Sequence, residues 1–271
     1  MDSRRYTSVR KMAIAAMFMA LATLLTAFAK MIKIPGITFV TFSFGPAIIM
    51  FISLSLGPLY GALVGVGSDA LAAVLFSRGI YNPIYTVIAG LWGVLPWAFS
   101  LLSKKFLRRS LRAPWPTYVL QLLILGLTVY AFYGTSIFDK GFAKAGPFLK
   151  PTILGCLAGL DLLAGVGLYF MNRHFQKNEE EVGDIPSPSE VSFLSCLLET
   201  LLSSFGEAGA LYFYFHVLVD SKTFSGVSYG YFFLALLLMS TVNIVLDSFL
   251  VSWLLLFAKK YGGNRGSSLE N

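Results

Sequence analysis

Eight apolar runs follow one another down the chain, over residues 12–29, 37–56, 59–76, 85–102, 115–134, 152–171, 191–219 and 227–258. A helix of about 20 residues rises about 30 Å, which matches the hydrocarbon thickness of a bilayer. So many such runs cannot be buried inside one soluble globule, because too little polar sequence remains to cover it. Charged residues make up 13% of the chain, and 24 phenylalanines are present, against about 25% charged residues in ordinary soluble domains. The same numbers exclude a solvated, disordered coil. The expected fold class is an all-α membrane protein, a polytopic helical bundle forming a single transmembrane domain over residues 1–271.

The first run ends in Ala27-Phe28-Ala29, which has the form of a signal-peptidase site. Its 18 apolar residues exceed the usual signal-peptide core of about 7–15, so it is read as a retained first helix. In the second run, Gly45-Pro46 marks a helix start or kink, with 37–44 partly extended. The segment 172–190 is the only long polar stretch and reads as a flexible cytoplasmic loop. The last two runs exceed the minimum span, which implies tilt or extension past the hydrocarbon. With the N-terminus inside and spans alternating, fourteen of the 21 basic residues fall on the inner side and seven on the outer. That bias places both termini in the cytoplasm of a multi-pass cell-membrane protein.

The sequence offers little chemistry of catalysis. It contains no G-x-x-x-x-G-K-[ST], no H-E-x-x-H and no G-x-S-x-G, so neither P-loop ATP hydrolysis, a zincin site nor a nucleophile elbow is expected. His174, in the polar loop, and His216 are the only histidines. Cys156 and Cys196 read as small buried apolar side chains. An enzyme is not expected, and neither a cofactor, a metal nor a nucleic-acid partner is implied.

Five acids do stand inside apolar runs: Asp69, Asp161, Glu199, Glu207 and Asp247. Each costs about 2.5–3.5 kcal/mol at a helix centre on insertion scales, so each needs a cavity or a polar partner. They serve either a ligand pocket or proton path, or interhelical hydrogen bonding. Gly61, Gly65 and Asp69 recur every four residues, a stripe on which a second helix can approach closely. Glu199, Ser203 and Glu207 form another stripe, and Asn243 with Asp247 a third. Tyr81, Asn82 and Tyr85 sit in the outer segment 78–85, as interface aromatics or as the rim of a pocket for a flat ligand. The candidate substrate-binding set is therefore Asp69, Tyr81, Asn82, Tyr85, Glu207 and Asn243.

Several of these residues sit in longer patterns. Ser43-Phe44-Gly45-Pro46, Gly57-Pro58-Leu59-Tyr60-Gly61-Ala62-Leu63-Val64-Gly65, Ser68-Asp69-Ala70-Leu71 and Gly79-Ile80-Tyr81-Asn82-Pro83-Ile84-Tyr85-Thr86 resemble the S components of energy-coupling factor (ECF) transporters, and are most similar to the folate-type group. Ala16-Met17-Phe18-Met19-Ala20 looks like that family's A-x-x-x-A contact motif. The resemblance covers roughly residues 10–102. It implies a substrate-binding membrane subunit that captures a vitamin-like small molecule at the outer face, with folate-like ligands foremost. It also implies assembly with a transmembrane T component and two ATPase subunits, with Ala16 and Ala20 as the docking face. The family has six helices, so the eight runs imply a six-helix core: helices 1–4 over 10–103, an inserted pair over 115–171, and the last two core helices over 191–258. The alternative is a stand-alone, proton-coupled secondary transporter that uses the intramembrane carboxylates.

Overall fold

The computed structural model describes residues 2–29, 44–76, 81–103, 114–134, 149–177, 185–218 and 228–262. These residues form eight helices and no strand: α1 (Asp2–Ala29), α2 (Gly45–Leu56), α3 (Pro58–Phe76), α4 (Pro83–Leu102), α5 (Trp115–Gly134), α6 (Leu149–Lys177), α7 (from Pro188 to Leu218) and α8 (Tyr229–Gly262). Six of them, α1, α3, α4, α6, α7 and α8, are long and apolar enough to cross a membrane, while α2 and α5 count as shorter apolar helices. The fold is thus a polytopic helical membrane bundle. Eight runs became eight helices, but α2 has only 12 residues, about 18 Å at 1.5 Å per residue. It starts at Gly45 with Pro46 in its first turn, where proline's missing N–H costs nothing. Residues 37–43 lie outside the described residues.

Local chemistry sets the other boundaries. Gly57 ends α2 at φ 101°, a left-handed conformation that glycine adopts without Cβ strain. Pro58 then opens α3 at once. Asn82 caps α4, its Oδ1 accepting from the Ile84 N–H at 3.1 Å, with Pro83 following. Ser187 and Glu190 form a reciprocal capping box at the start of α7, satisfying two otherwise orphaned donors. The helix α6 continues through Lys177, into the stretch read as loop from residue 172. His174 consequently lies in a helical last turn rather than in a loop. Residues 178–184 lie outside the described residues.

The packing has a centre and a wall. In α8, 78% of the most apolar stretch is buried, and in α7 61%, against 22% in α1 and α4. One core joins α1–α4 to the first part of α7 and the last part of α8, through Met50, Ile52, Trp92, Leu198 and Val251. A second joins α6 and α8 through Leu154, Leu157, Phe232 and Leu236. On α5, Ile124 packs with Cys196, Leu237 and Ile244. The outward faces carry large apolar side chains, such as Met17 at 73%, Val74 at 83% and Leu163 at 72% exposure. An apolar surface that extensive belongs against lipid rather than water. Cys196 is buried as expected, but Cys156 is exposed, on this lipid-facing side of α6.

The helix α7 changes its winding. It is α-helical over Pro188–Leu198, π-helical over Glu199–Glu207, α-helical over Ala208–Phe213 and π-helical again over Tyr214–Leu218. A π turn pairs each N–H with the carbonyl five residues back and is rare outside functional segments. Carbonyls along this stretch find donors on neighbouring helices. Ser240 Oγ donates to the Glu199 carbonyl at 3.4 Å, Tyr229 Oη to Phe205 at 3.0 Å, and Asn82 Nδ2 to Ala210 at 3.0 Å. In a bilayer such partners must come from the protein, since no water supplies them.

Candidate functional site

The glycine stripe on α3 meets α4 backbone to backbone. A Cβ added at Gly61 would collide with the Gly93 carbonyl, and one at Gly65 with the Ala89 carbonyl. Two helices that touch this closely bring the next residues on each into register. One turn beyond Gly65 stands Asp69, and one turn before Ala89 stands Thr86. Thr86 Oγ1 donates to Asp69 Oδ2 at 2.5 Å. Tyr81 Oη in turn bonds the Thr86 hydroxyl. Because the Thr86 proton is committed to Asp69, Tyr81 is the donor. The result is a relay from Tyr81 through Thr86 to Asp69.

Two further groups join it. The charges of Glu207 and Asp69, and the hydroxyl of Tyr214, all act on Tyr85, and Asp69 acts on Glu207. Asp69, Tyr85 and Glu207 are half-buried, while Tyr81 is exposed. This cluster draws on α3, α4 and the end of the first π segment of α7, with Tyr81 exposed at its edge. It offers carboxylate acceptors, phenol hydroxyls and aromatic faces, the donor–acceptor set for a flat ligand with ring N–H groups.

The candidate residues divide into three groups. Asp69, Tyr81, Tyr85 and Glu207 come together. Asn82 stands beside them, but its amide is engaged at both ends, accepting from Ile84 N–H and donating to Ala210. It ties α4 to α7 and holds the site's shape. Asn243 belongs instead to a deeper cluster with Glu199 and Asp247, two turns along α7 from Glu207. Thr86 and Tyr214 went unselected in the sequence. For Thr86 the only available signal was its place opposite Asp69 once the glycine stripe is paired with α4, and no sequence pattern names that partner. Asp161 is half-buried on α6 and reaches Cys196 electrostatically, apart from the cluster.

The A-x-x-x-A segment of α1 has two faces. Ala15 and Ala22 are buried, whereas Ala16 and Ala20 are exposed and uncovered by other described residues. Met12, Met17 and Leu24, at 63%, 73% and 53% exposure, flank them. Among the described residues, no group of three or more His, Cys, Asp or Glu side chains gathers as a metal site.

Residues 6–137 match the family model of the ECF-type riboflavin transporter S component. The match spans α1 to α5, so it includes Asp69, Tyr81, Asn82, Tyr85, Ala16 and Ala20 and stops before Glu207 and Asn243. It supports the S-component family, a family of transporter subunits rather than enzymes, and it does not bear out the folate-type subgroup. It also runs past Leu102, where the resemblance read from the sequence ends, and through α5. No curated protein and no solved structure matches the chain.

Proposed function

We propose that this chain is the substrate-binding S component of an ECF-type importer in the cell membrane, working with a T component and two ATPase subunits. The observation that carries the reading is the family match over residues 6–137. The exposed small face at Ala16 and Ala20 supports it, since small residues let a second membrane helix approach closely. In this reading α5 and α6, the pair expected as an insertion, lie outside the docking surface, because α1 does the docking and the bulk of α5 and α6 packs on α7 and α8; the family match itself continues through α5.

The substrate is a flat, nitrogen-rich vitamin, with riboflavin ahead of folate. The matched family names riboflavin. The site's chemistry agrees, because Asp69 and Glu207 are acceptors that suit a neutral ring with N–H donors and repel the carboxylates of a folate tail. Asp69, Tyr81, Tyr85 and Glu207 contact the ligand, Asn82 positions α4 against α7, and Asn243 stands apart from it, beside Glu199 and Asp247.

Purified protein titrated with riboflavin is expected to quench flavin fluorescence at stoichiometric ratio, with folate far weaker. Binding of neither ligand would overturn the substrate reading. Asp69→Asn and Glu207→Gln keep shape and remove charge. Each is expected to weaken binding about 10- to 100-fold, the loss for a hydrogen bond to a charged group worth about 1.5–3 kcal/mol. Unchanged affinity in both folded variants would make these acids structural.

Both termini and the polar segment between α6 and α7 are placed in the cytoplasm by the basic-residue bias. Single cysteines at residues 180 and 268, in a background lacking Cys156 and Cys196, are expected to react with a membrane-impermeant maleimide only after the membrane is opened. Labelling from intact cells would invert the topology.

A further inference from the structure

The polar residues in the middle of α7 and α8 face one another. Ser240, Asn243 and Asp247 share one face of α8 by their spacing, and Glu199 with Ser203 shares one face of α7. Glu199 and Asp247 are 0% exposed and Asn243 5%. Glu199 lies beside Ser203, Ser240, Asn243 and Asp247. Both oxygens of Glu199, both of Asp247 and the Oδ1 of Asn243 are buried without a hydrogen-bond partner.

Two neighbouring hydroxyls are engaged with other groups as well. Ser240 donates to the Glu199 carbonyl and pairs with Ser204 at 3.0 Å. Ser248 pairs with Ser192 at 3.0 Å. Among the described residues no Lys, Arg or His acts on either carboxyl. The other titratable groups around the cluster add no positive charge. Glu207 lies within electrostatic reach on α7. Cys196 on α7 is reached by Glu199 and by Asp161 of α6. Tyr85 of α4 and Asp69 of α3 act on or are acted on by Glu207. The helix α2 contributes none, and α5 only tyrosines.

Two adjacent carboxyls in a dry helix interface cannot both stay ionised and unpaired, because desolvation and mutual repulsion oppose it. These buried carboxyl and amide oxygens, gathered around Glu199 with only the Ser203 and Ser240 hydroxyls and the Asn243 amide beside them, describe a receptor for a hard positive charge. With one of the two carboxyls protonated, the pair carries a single negative charge, which one monovalent cation neutralises. We propose that Glu199, Asp247 and Asn243 form a buried all-oxygen site that holds one monovalent hard cation, Na+ or a proton, and thereby joins α7 to α8. The site stands independently of the S-component reading, because α7 and α8 lie beyond the matched residues.

Thermal unfolding of the purified full chain in detergent tests this. NaCl is exchanged for choline chloride at constant ionic strength, at several fixed pH values, with KCl as a size control. If Na+ is the occupant, the midpoint rises by roughly 5–10 °C for a hundredfold increase of Na+ above its dissociation constant. If a proton is the occupant, Na+ has no effect and lowering the pH raises the midpoint instead. In either case the Glu199→Gln, Asp247→Asn double variant remains folded and loses the response, since neutral amides need no counter-charge. A wild-type midpoint indifferent to both Na+ and pH overturns the proposal. So does a double variant that keeps the full response, or one that no longer folds.

Discussion

Gly65→Ala, a change of one methyl, is expected to abolish the folded protein or lower its melting point by more than 10 °C. The new Cβ would land on the Ala89 carbonyl, and both obstructing groups are backbone in the middle of a helix. Overpacking against side chains costs about 1–3 kcal/mol because rotamers give way. Here no rotamer exists to give, so α3 and α4 must separate along their length. Separation also parts Thr86 from Asp69. Matched controls exist in Gly126→Ala on α5 and Gly159→Ala on α6, where a Cβ would meet nothing within 4 Å. Those changes are expected to be neutral or to stabilise, by up to about 1 kcal/mol from helix propensity. Fluorescence-detected size exclusion and thermal melts compare the three directly. A Gly65→Ala protein that melts like its controls would show that the α3–α4 contact is looser than the structure has it.

Replacing Ala16 and Ala20 together by tryptophan is expected to abolish uptake while leaving ligand affinity within twofold. Both side chains are exposed on α1, pointing away from the core to which Ala15 belongs. A lipid-facing tryptophan is tolerated by the bilayer itself, so the subunit folds. Two indoles on that face hold off any helix that needs close backbone approach, and helix association in lipid rests on such packing. Uptake by cells carrying the whole complex and ligand binding to the isolated subunit separate the two effects. An equal fall in binding would mean that the face is internal packing, and normal uptake would remove α1 as the docking helix.

The class of fold was legible because lipid imposes a length on each helix, and apolar runs record that length directly. The start of α2 was legible too, since Gly45-Pro46 permits few alternatives. The glycine stripe announced a close helix approach without saying to which helix. Its partner, α4, supplies Gly93 and Ala89, residues with no distinguishing pattern of their own. For the same reason Thr86 went unseen although Asp69 did not. A carboxylate in an apolar run is costly wherever it goes, whereas a threonine there is commonplace. Asn82 drew attention as a polar residue at the outer rim, and its capping and cross-helix bonds account for it. The separation of Asn243 from Asp69 was invisible because it depends on which turn of α8 faces which turn of α7, and no simple sequence rule gives that register.

The seam between α3 and α4 has a mechanical consequence. Where backbones touch at Gly61–Gly93 and Gly65–Ala89, neither sliding nor rotation is open to the pair, so the two helices move as one body. The opposite side of the cluster is held by side chains instead, through the Asn82–Ala210 hydrogen bond, Ile88 against Gly206 and the apolar core that Leu198 and Leu202 share with α4. Side chains of this kind can repack by changing rotamer, which touching backbones cannot do. The cluster thus has one seam of touching backbones, carrying Asp69 and Tyr85, and one seam of packed side chains, carrying Glu207. In the proposed S component, admission and release of a ligand would fall to the side of α7, the helix whose winding is irregular.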